Sequence, residues 1–176
     1  SDNDAEVQRQ KAIDALQDVE KEIRAISHEL SHAAYQKMHN FMVSLQELLQ
    51  TVESTSNIKC QLVYDDEKDW DALQGNIKIN VYRMVQECLQ NSVKHAHCKN
   101  ATVSLASKNG ILQVSIADDG KGFRTGRRKK GIGMRNIASR VEKLNGEWHI
   151  DSTPGKGTTV ALRIPVANQP SVHEKV

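Results

Sequence analysis

Residues 101–123 read ATVSLASKNGILQVSIADDGKGF, and this stretch decides the fold. Ala101, Val103 and Leu105 alternate with polar residues, and so do Leu112, Val114 and Ile116. A period of two puts each apolar set on one face of a strand. Asn109-Gly110 lies between the two runs, the dipeptide that the tight turn of a β-hairpin demands. The second strand runs directly into Asp118-Asp119-Gly120-Lys121-Gly122-Phe123, a carboxylate pair followed by two glycines. An Asp at a strand end can accept a hydrogen bond from an exocyclic amine, and glycines let the backbone come close to a ligand. By itself the same run is also an ordinary tight turn.

Before the hairpin, Ile58, Cys60, Leu62 and Tyr64 alternate as a half-buried strand, and an acidic loop follows from Asp65 to Asp71. Residues 76–96 then carry Ile77, Val81, Met84, Val85, Cys88 and Leu89 at helical spacing. After the hairpin, 118–133 is rich in glycine and charge and reads as a loop, and 134–145 reads as a helix. Strands are expected at about 147–152 and 158–164, joined by Pro154-Gly155-Lys156-Gly157. Hairpins with helices gathered on one face predict an α+β, two-layer sandwich over residues 56–167. A polar tail, 168–176, ends the chain.

The first part of the chain differs. Residues 5–54 contain no Gly and no Pro. Ile13, Leu16, Val19, Ile23, Ile26 and Leu30 form a seam of the kind that packs in a helical bundle. A second helical pattern, Met38 to Val52, ends at Ser54 to Asn57. Residues 1–55 are therefore expected to be a helical segment, a long helix followed by a short one.

Composition bounds the function. In 176 residues, 38% are hydrophobic but only 4% aromatic, so the core is aliphatic. A net charge of +2 gives no field that argues for nucleic acid, and none is expected as a partner. Three scattered cysteines, never in a CxxC spacing, argue against a disulfide framework or a zinc site and fit a reducing compartment. No apolar run reaches the length of a membrane span. The residues read as a cytoplasmic fragment starting inside a longer polypeptide, which leaves room for a membrane-anchored parent such as an inner-membrane sensor.

Three further clusters carry candidate chemistry. Glu87, Asn91 and Lys94 fall on one helix face, with His95 beside them. A carboxylate, an amide oxygen and an ammonium there suit a hydrated Mg²⁺ and a polyphosphate, since Mg²⁺ keeps waters and takes few protein oxygens. Gly131-Ile132-Gly133-Met134 opens a helix and leaves amide N–H groups free for phosphate. Gly155-Lys156-Gly157-Thr158-Thr159 joins two strands. Each has a plain alternative: a solvated helix face, a glycine-rich helix start, a hairpin turn.

Taken in order, the four clusters resemble the N, G1, G2 and G3 boxes of the ATPase fold shared by histidine kinases, Hsp90, MutL and type II topoisomerases, the GHKL or Bergerat fold. The run Val81-Tyr82-Arg83-Met84-Val85-Gln86-Glu87 is similar to the corresponding run in the nitrate-sensor and DesK-like class of sensor histidine kinases. The short gap Arg124 to Lys130 resembles that class's ATP lid. The resemblance covers about residues 15–166. It implies ATP and Mg²⁺ as cofactors, with Asn91 as the metal ligand and Lys94 and His95 near phosphate. It implies Asp118 on the adenine amine with Gly120 and Gly122 beside it. Gly131 and Gly133 would form the lid hinge and approach the phosphates, Ile132 and Met134 would belong to the same cofactor-binding box, and Thr158 and Thr159 would line the adenine side. The basic run of the lid would neutralise triphosphate charge.

The resemblance further implies transfer of the γ-phosphoryl group to a histidine and relay to an aspartate on a response-regulator receiver domain. It implies a homodimer in the full-length protein, built from helical hairpins. Ile26-Ser27-His28-Glu29-Leu30 looks like an acceptor box, yet only about 29 residues separate His28 from Ile58, too few for a turn and a return helix of similar length. The DesK-like pattern Glu-Leu-His-Asp here reads Glu29-Leu30-Ser31-His32. Residues 5–32 are thus expected to be the second hairpin helix, with the acceptor upstream of Ser1 and His28 the alternative acceptor. Two rival classes stay open: a GHKL-type ATPase with Glu87 activating water, and an ATP-binding module without kinase activity.

Overall fold

The computed structural model describes residues 40–124 and 131–166. The helical seam at 5–32, His28, most of the lid and the polar tail lie outside the described residues.

The elements are α1 (Phe41–Thr55), β1 (Lys59–Val63), α2 (Gly75–Asn91), β2 (Asn100–Lys108), β3 (Ile111–Asp118), α3 (Ile132–Lys143), β4 (Glu147–Ser152) and β5 (Thr158–Pro165). The five strands form one sheet in the order β1-β2-β3-β5-β4. One face of it is buried: Ala101, Val103 and Leu105 on β2, Leu112, Val114 and Ile116 on β3, and Val160, Leu162 and Ile164 on β5. The other face bears exposed Gln61, Gln113 and Arg163. This is the two-layer α+β sandwich that the alternation predicts.

The Asn109-Gly110 turn has φ of 51° and 70°, the left-handed pair that a two-residue hairpin needs. β2 and β3 pair antiparallel from Ala101↔Asp118 to Lys108↔Ile111. β3 then pairs with β5, not with the next strand in sequence, in the register Asp118↔Thr158. That single pairing brings the Asp118 cluster against the Gly157-Thr158 cluster, 40 residues later in the chain. The loop, α3 and β4 form the excursion between them. β1 runs parallel to β2, which requires a crossover, and α2 supplies it.

Helix α1 packs against β1 and α2, burying Phe41, Leu45, Leu49 and Val52. Residues from Asn40 onward form one compact unit, so the described part of the 1–55 helical segment shares the core of the domain after it. The acidic loop is also folded. Trp70 is buried and donates its indole N–H to the Asp65 carbonyl at 2.6 Å. The Asp71 carboxylate accepts the Phe41 N–H at 2.7 Å, satisfying an orphan donor at the start of α1.

The helix expected over 76–96 is α-helical only to Asn91. Ser92–Ala96 form a π turn, ended by His97 in the left-handed region at φ 52°. The wider turn shifts the face on which later residues project. α3 starts two residues earlier than its apolar pattern predicts, with Gly131 as its N-cap.

Candidate functional site

A cavity of about 770 Å³ lies over the buried end of the sheet, between α2 and the start of α3. Its wall is built from the clusters that the sequence scatters. α2 and the π turn contribute Cys88, Asn91, Ser92, His95 and Ala96. β3 and the loop after it contribute Ile116, Asp118, Lys121, Gly122 and Phe123. Gly131, Gly133 and Met134 stand at the opening of α3, and Thr158 and Val160 come from β5. Its size falls in the ordinary range for ligand pockets, roughly 300–1,000 Å³.

Asp118 is the best-fixed polar group in that wall. The Ser92 hydroxyl donates to one carboxylate oxygen at 2.9 Å, and the Gly120 N–H donates to the other at 2.9 Å. Each oxygen keeps lone-pair capacity for a ligand donor, and the two bonds hold the carboxylate in one orientation. Ser92 is buried, and its hydroxyl also lies 3.2 Å from the Cys88 carbonyl.

The following loop is locked by backbone. The Lys121 N–H donates to the Ala96 carbonyl at 2.8 Å, and the Lys121 carbonyl accepts from the Gly155 N–H at 2.7 Å. At Gly120 a Cβ would overlap the Ala96 backbone, so any larger residue would push the loop off the π turn. Gly122 has φ 58°, and a Cβ there would strike the Thr153 carbonyl. Buried Ser152 closes the other side: its hydroxyl accepts the Phe123 N–H at 2.9 Å and lies 2.9 Å from the Thr158 hydroxyl.

Asp119, next to Asp118, points away from the cavity. Its carboxylate accepts from the N–H groups of Lys99 and Asn100 at 2.8 and 2.9 Å and from the Asn100 side chain at 2.7 Å. The bonds from Asn100, then that from Lys99, hold its carboxyl below the usual carboxylate range. It ties the start of β2 to the end of β3.

Not every expected residue meets in the cavity. Asn91, His95, Asp118, Gly122, Gly131, Gly133, Met134 and Thr158 line it. Gly120 lies behind the wall. Lys94 is exposed and outside the lining. Thr159 alternates onto the opposite face of the sheet, paired with Ala117 and Asp151. Ile132 is 74% exposed. Glu87 lies one turn before Asn91, against Gly133 and in a neighbouring groove.

Sequence reasoning missed Ser92, Trp148, His149 and Ile150, which also line the cavity. Ser92 had a signal in its place directly after Asn91. Trp148 and Ile150 had one in their alternation with Ser152 on β4, but nothing before the structure says that β4 borders this cavity. Cys88 lies in the floor, and burial, followed by Glu87 and Asp118, pushes its thiol up to about 12. Among the described residues no group of three His, Cys, Asp or Glu could hold a metal ion. A cation here would therefore rest on Asn91, ligand oxygens and water. The Asn91 side-chain amide makes no hydrogen bond among the described residues and is free for that use.

Residues 76–168 match the family model described as histidine kinase-, DNA gyrase B-, and HSP90-like ATPase. The sensor histidine kinase YdfH of Bacillus subtilis is 35% identical over 94 residues, covering 51% of this chain and 23% of that protein. The signal transduction histidine-protein kinase/phosphatase DegS of Brevibacillus brevis is 28% identical over 149 residues, covering 84% of this chain and 38% of its own length. The chain thus spans well under half the length of these curated relatives. In structure it is similar to the blue-light activated histidine kinase EL346 of Erythrobacter litoralis, with TM-score 0.61 and 22% identity over 71% of this chain and 41% of that one. That likeness is one of fold.

Proposed function

This chain belongs to the histidine kinase-, DNA gyrase B- and HSP90-like ATPase family, and on that premise we propose that it is the ATP-binding catalytic region of a sensor histidine kinase. The observation that carries the nucleotide part is Asp118, oriented by Ser92 and the Gly120 N–H in the wall of the cavity opposite Thr158. A carboxylate held in this way recognises an exocyclic amine, and the apolar residues Ile116 and Val160 give a flat adenine surface to lie on.

In this reading the triphosphate runs from Asp118 toward Asn91, His95 and the glycines at the start of α3. The free N–H groups of that helix start receive phosphate oxygens. Asn91 is the residue that would hold Mg²⁺, which would supply neutralisation of phosphate charge. Phosphoryl transfer breaks the bond from the γ-phosphorus to the bridging oxygen and forms a bond to a histidine nitrogen. ADP leaves with the electron pair, and the imidazole proton passes to a base, a role that fits the carboxylate of Glu87 beside Gly133. Positioning and charge neutralisation carry such reactions. The side chains of Lys94, Ile132 and Thr159 lie outside the cavity lining, while the Ile132 N–H is one of the donors at the helix start.

The kinase reading over the plain ATPase is supported by the names of the two curated relatives, a sensor histidine kinase and a histidine-protein kinase/phosphatase. With it come a response-regulator aspartate as the next acceptor, a homodimer of the whole protein and a membrane-anchored parent. No helix among the described residues is long and apolar enough to cross a membrane. The test is to incubate the protein that carries its acceptor histidine with [γ-³²P]ATP and Mg²⁺. Label that is stable in alkali and lost in acid supports the kinase. Steady release of inorganic phosphate with no retained label, abolished in Glu87→Ala, supports the ATPase instead.

A further inference from the structure

A second, smaller recess of about 300 Å³ lies between α2 and α3. Its floor is apolar, from Met84 and Ile137, both fully buried. Its walls are polar: Arg83, Gln86 and Glu87 on α2, Asn136 and Arg140 on α3. The volume is at the lower end of the roughly 300–1,000 Å³ of ligand pockets, which suits a side chain better than a nucleotide.

Two guanidinium groups face this groove, and both are tied to neutral amides. Arg83 donates to the Gln86 side-chain oxygen at 2.9 Å, and Arg140 donates to that of Asn80 at 2.9 Å. Neither makes an ion pair with a carboxylate among the described residues. Burial first, then the nearness of Arg83, disfavours the charge on Arg140, and Glu87 offsets part of this. Two like charges beside one carboxylate leave the groove with an excess of one positive charge. A guanidinium offers five donors in a planar fork, so each arginine keeps donors in hand for a carboxylate.

The groove adjoins the nucleotide cavity. Glu87 packs against Gly133 so closely that a Cβ on the glycine would overlap its carboxylate, and Gly133 lines the cavity at the end assigned above to phosphate. On the kinase reading above, an occupant of the groove would lie beside the reacting phosphoryl group.

We infer that this groove is the docking site for an acidic side chain of the polypeptide segment that presents the phosphoryl-accepting nitrogen, with Arg83 and Arg140 taking its carboxylate. The inference rests on the kinase reading above. The two arginines are positioning residues: they hold the acceptor segment in line with the γ-phosphorus and touch no reacting atom. A bidentate carboxylate contact is also the kind of interaction that a lysine replaces poorly.

The experiment uses Arg83→Gln, Arg140→Gln, the double variant and the two Arg→Lys variants in the protein that carries its acceptor histidine. ATP affinity by titration and the rate of phosphohistidine formation from [γ-³²P]ATP are measured side by side. The double variant is expected to bind ATP within about twofold of wild type and to transfer about ten- to a hundredfold more slowly, with the lysine variants in between. Retained ATP affinity shows that the variants are folded. Equal transfer rates in wild type and the double variant overturn the inference alone. Loss of ATP affinity in step with transfer also overturns it, since the groove would then serve the nucleotide. Wild-type protein that binds ATP but forms no phosphohistidine overturns the kinase reading, and the inference falls with it.

Discussion

Asp118 does its work through Ser92. The sequence marks Asp118 by its strand end and the glycines after it, but says nothing of what orients the carboxylate. That partner lies 26 residues earlier and reaches it only because the sheet and α2 pack as they do. Ser92→Ala removes one of the two bonds that orient the carboxylate and so lowers ATP affinity in a calorimetric titration, by at most about a hundredfold if the full value of a charge-assisted bond, about 1.5–3 kcal/mol, is lost from the complex. Asp118→Ala removes the recognition itself and leaves no measurable preference for adenine over guanine nucleotides. Cys88 is the opposite case, a nucleophile by composition and inert by position. Its thiol, pushed up to about 12, stays protonated at pH 8, so alkylation of the native protein should leave it unmodified. Rapid modification of Cys88 without denaturant, read by peptide mass, would contradict this burial.

At the scale of elements, periodicity made most of the fold legible. The alternation of 101–116 with its Asn109-Gly110 turn, the apolar stripe of α2 and the later hairpin all fall where the pattern puts them. What periodicity cannot carry is partner choice. Nothing in a strand's own residues says that β1 lies parallel to β2 or that β3 pairs with β5. The π turn at Ser92–Ala96 is invisible for a related reason: it is set by how the chain meets Gly120 and Lys121, not by a helix signal. Helix α1 shows the limit at a boundary. Its own pattern groups it with the apolar periodicity of the residues before it, while its packing joins it to the domain after it. Phe41→Ala is therefore expected to destabilise the ATP-binding unit by about 3–5 kcal/mol, read by denaturant unfolding. Unchanged stability would mean that α1 is dispensable. Asp119, the tie between β2 and β3, gives a pH signature. Its folded pKa is depressed, so its contribution is present above about 3.8, the ordinary value, and is lost as pH falls through the folded value. The melting-temperature deficit of Asp119→Ala should thus be full near neutrality and shrink below that pH. A deficit independent of pH would rule out the tie.

For the whole molecule, the site exists because one strand pairing brings distant segments together. Asp118↔Thr158 joins the second and fourth clusters, α2 brings the first to their edge, and the excursion through α3 returns the third. The order of the clusters was readable from the chain, and the resemblance gave that order its meaning. Which members face the cavity was not, because a change of one residue in a strand or half a turn in a helix moves a side chain to another surface. Thr159 and Ile132 show both effects. The account's central claim is that this cavity delivers the γ-phosphoryl group of ATP to a histidine. The most direct measurement is intact mass of the protein carrying its acceptor after incubation with MgATP at alkaline pH, beside Asp118→Ala treated alike. The account predicts one acid-labile phosphoryl group on the wild type and none on the variant. Wild-type protein that consumes ATP and gains no phosphoryl group, or a variant that gains it equally, would contradict the claim.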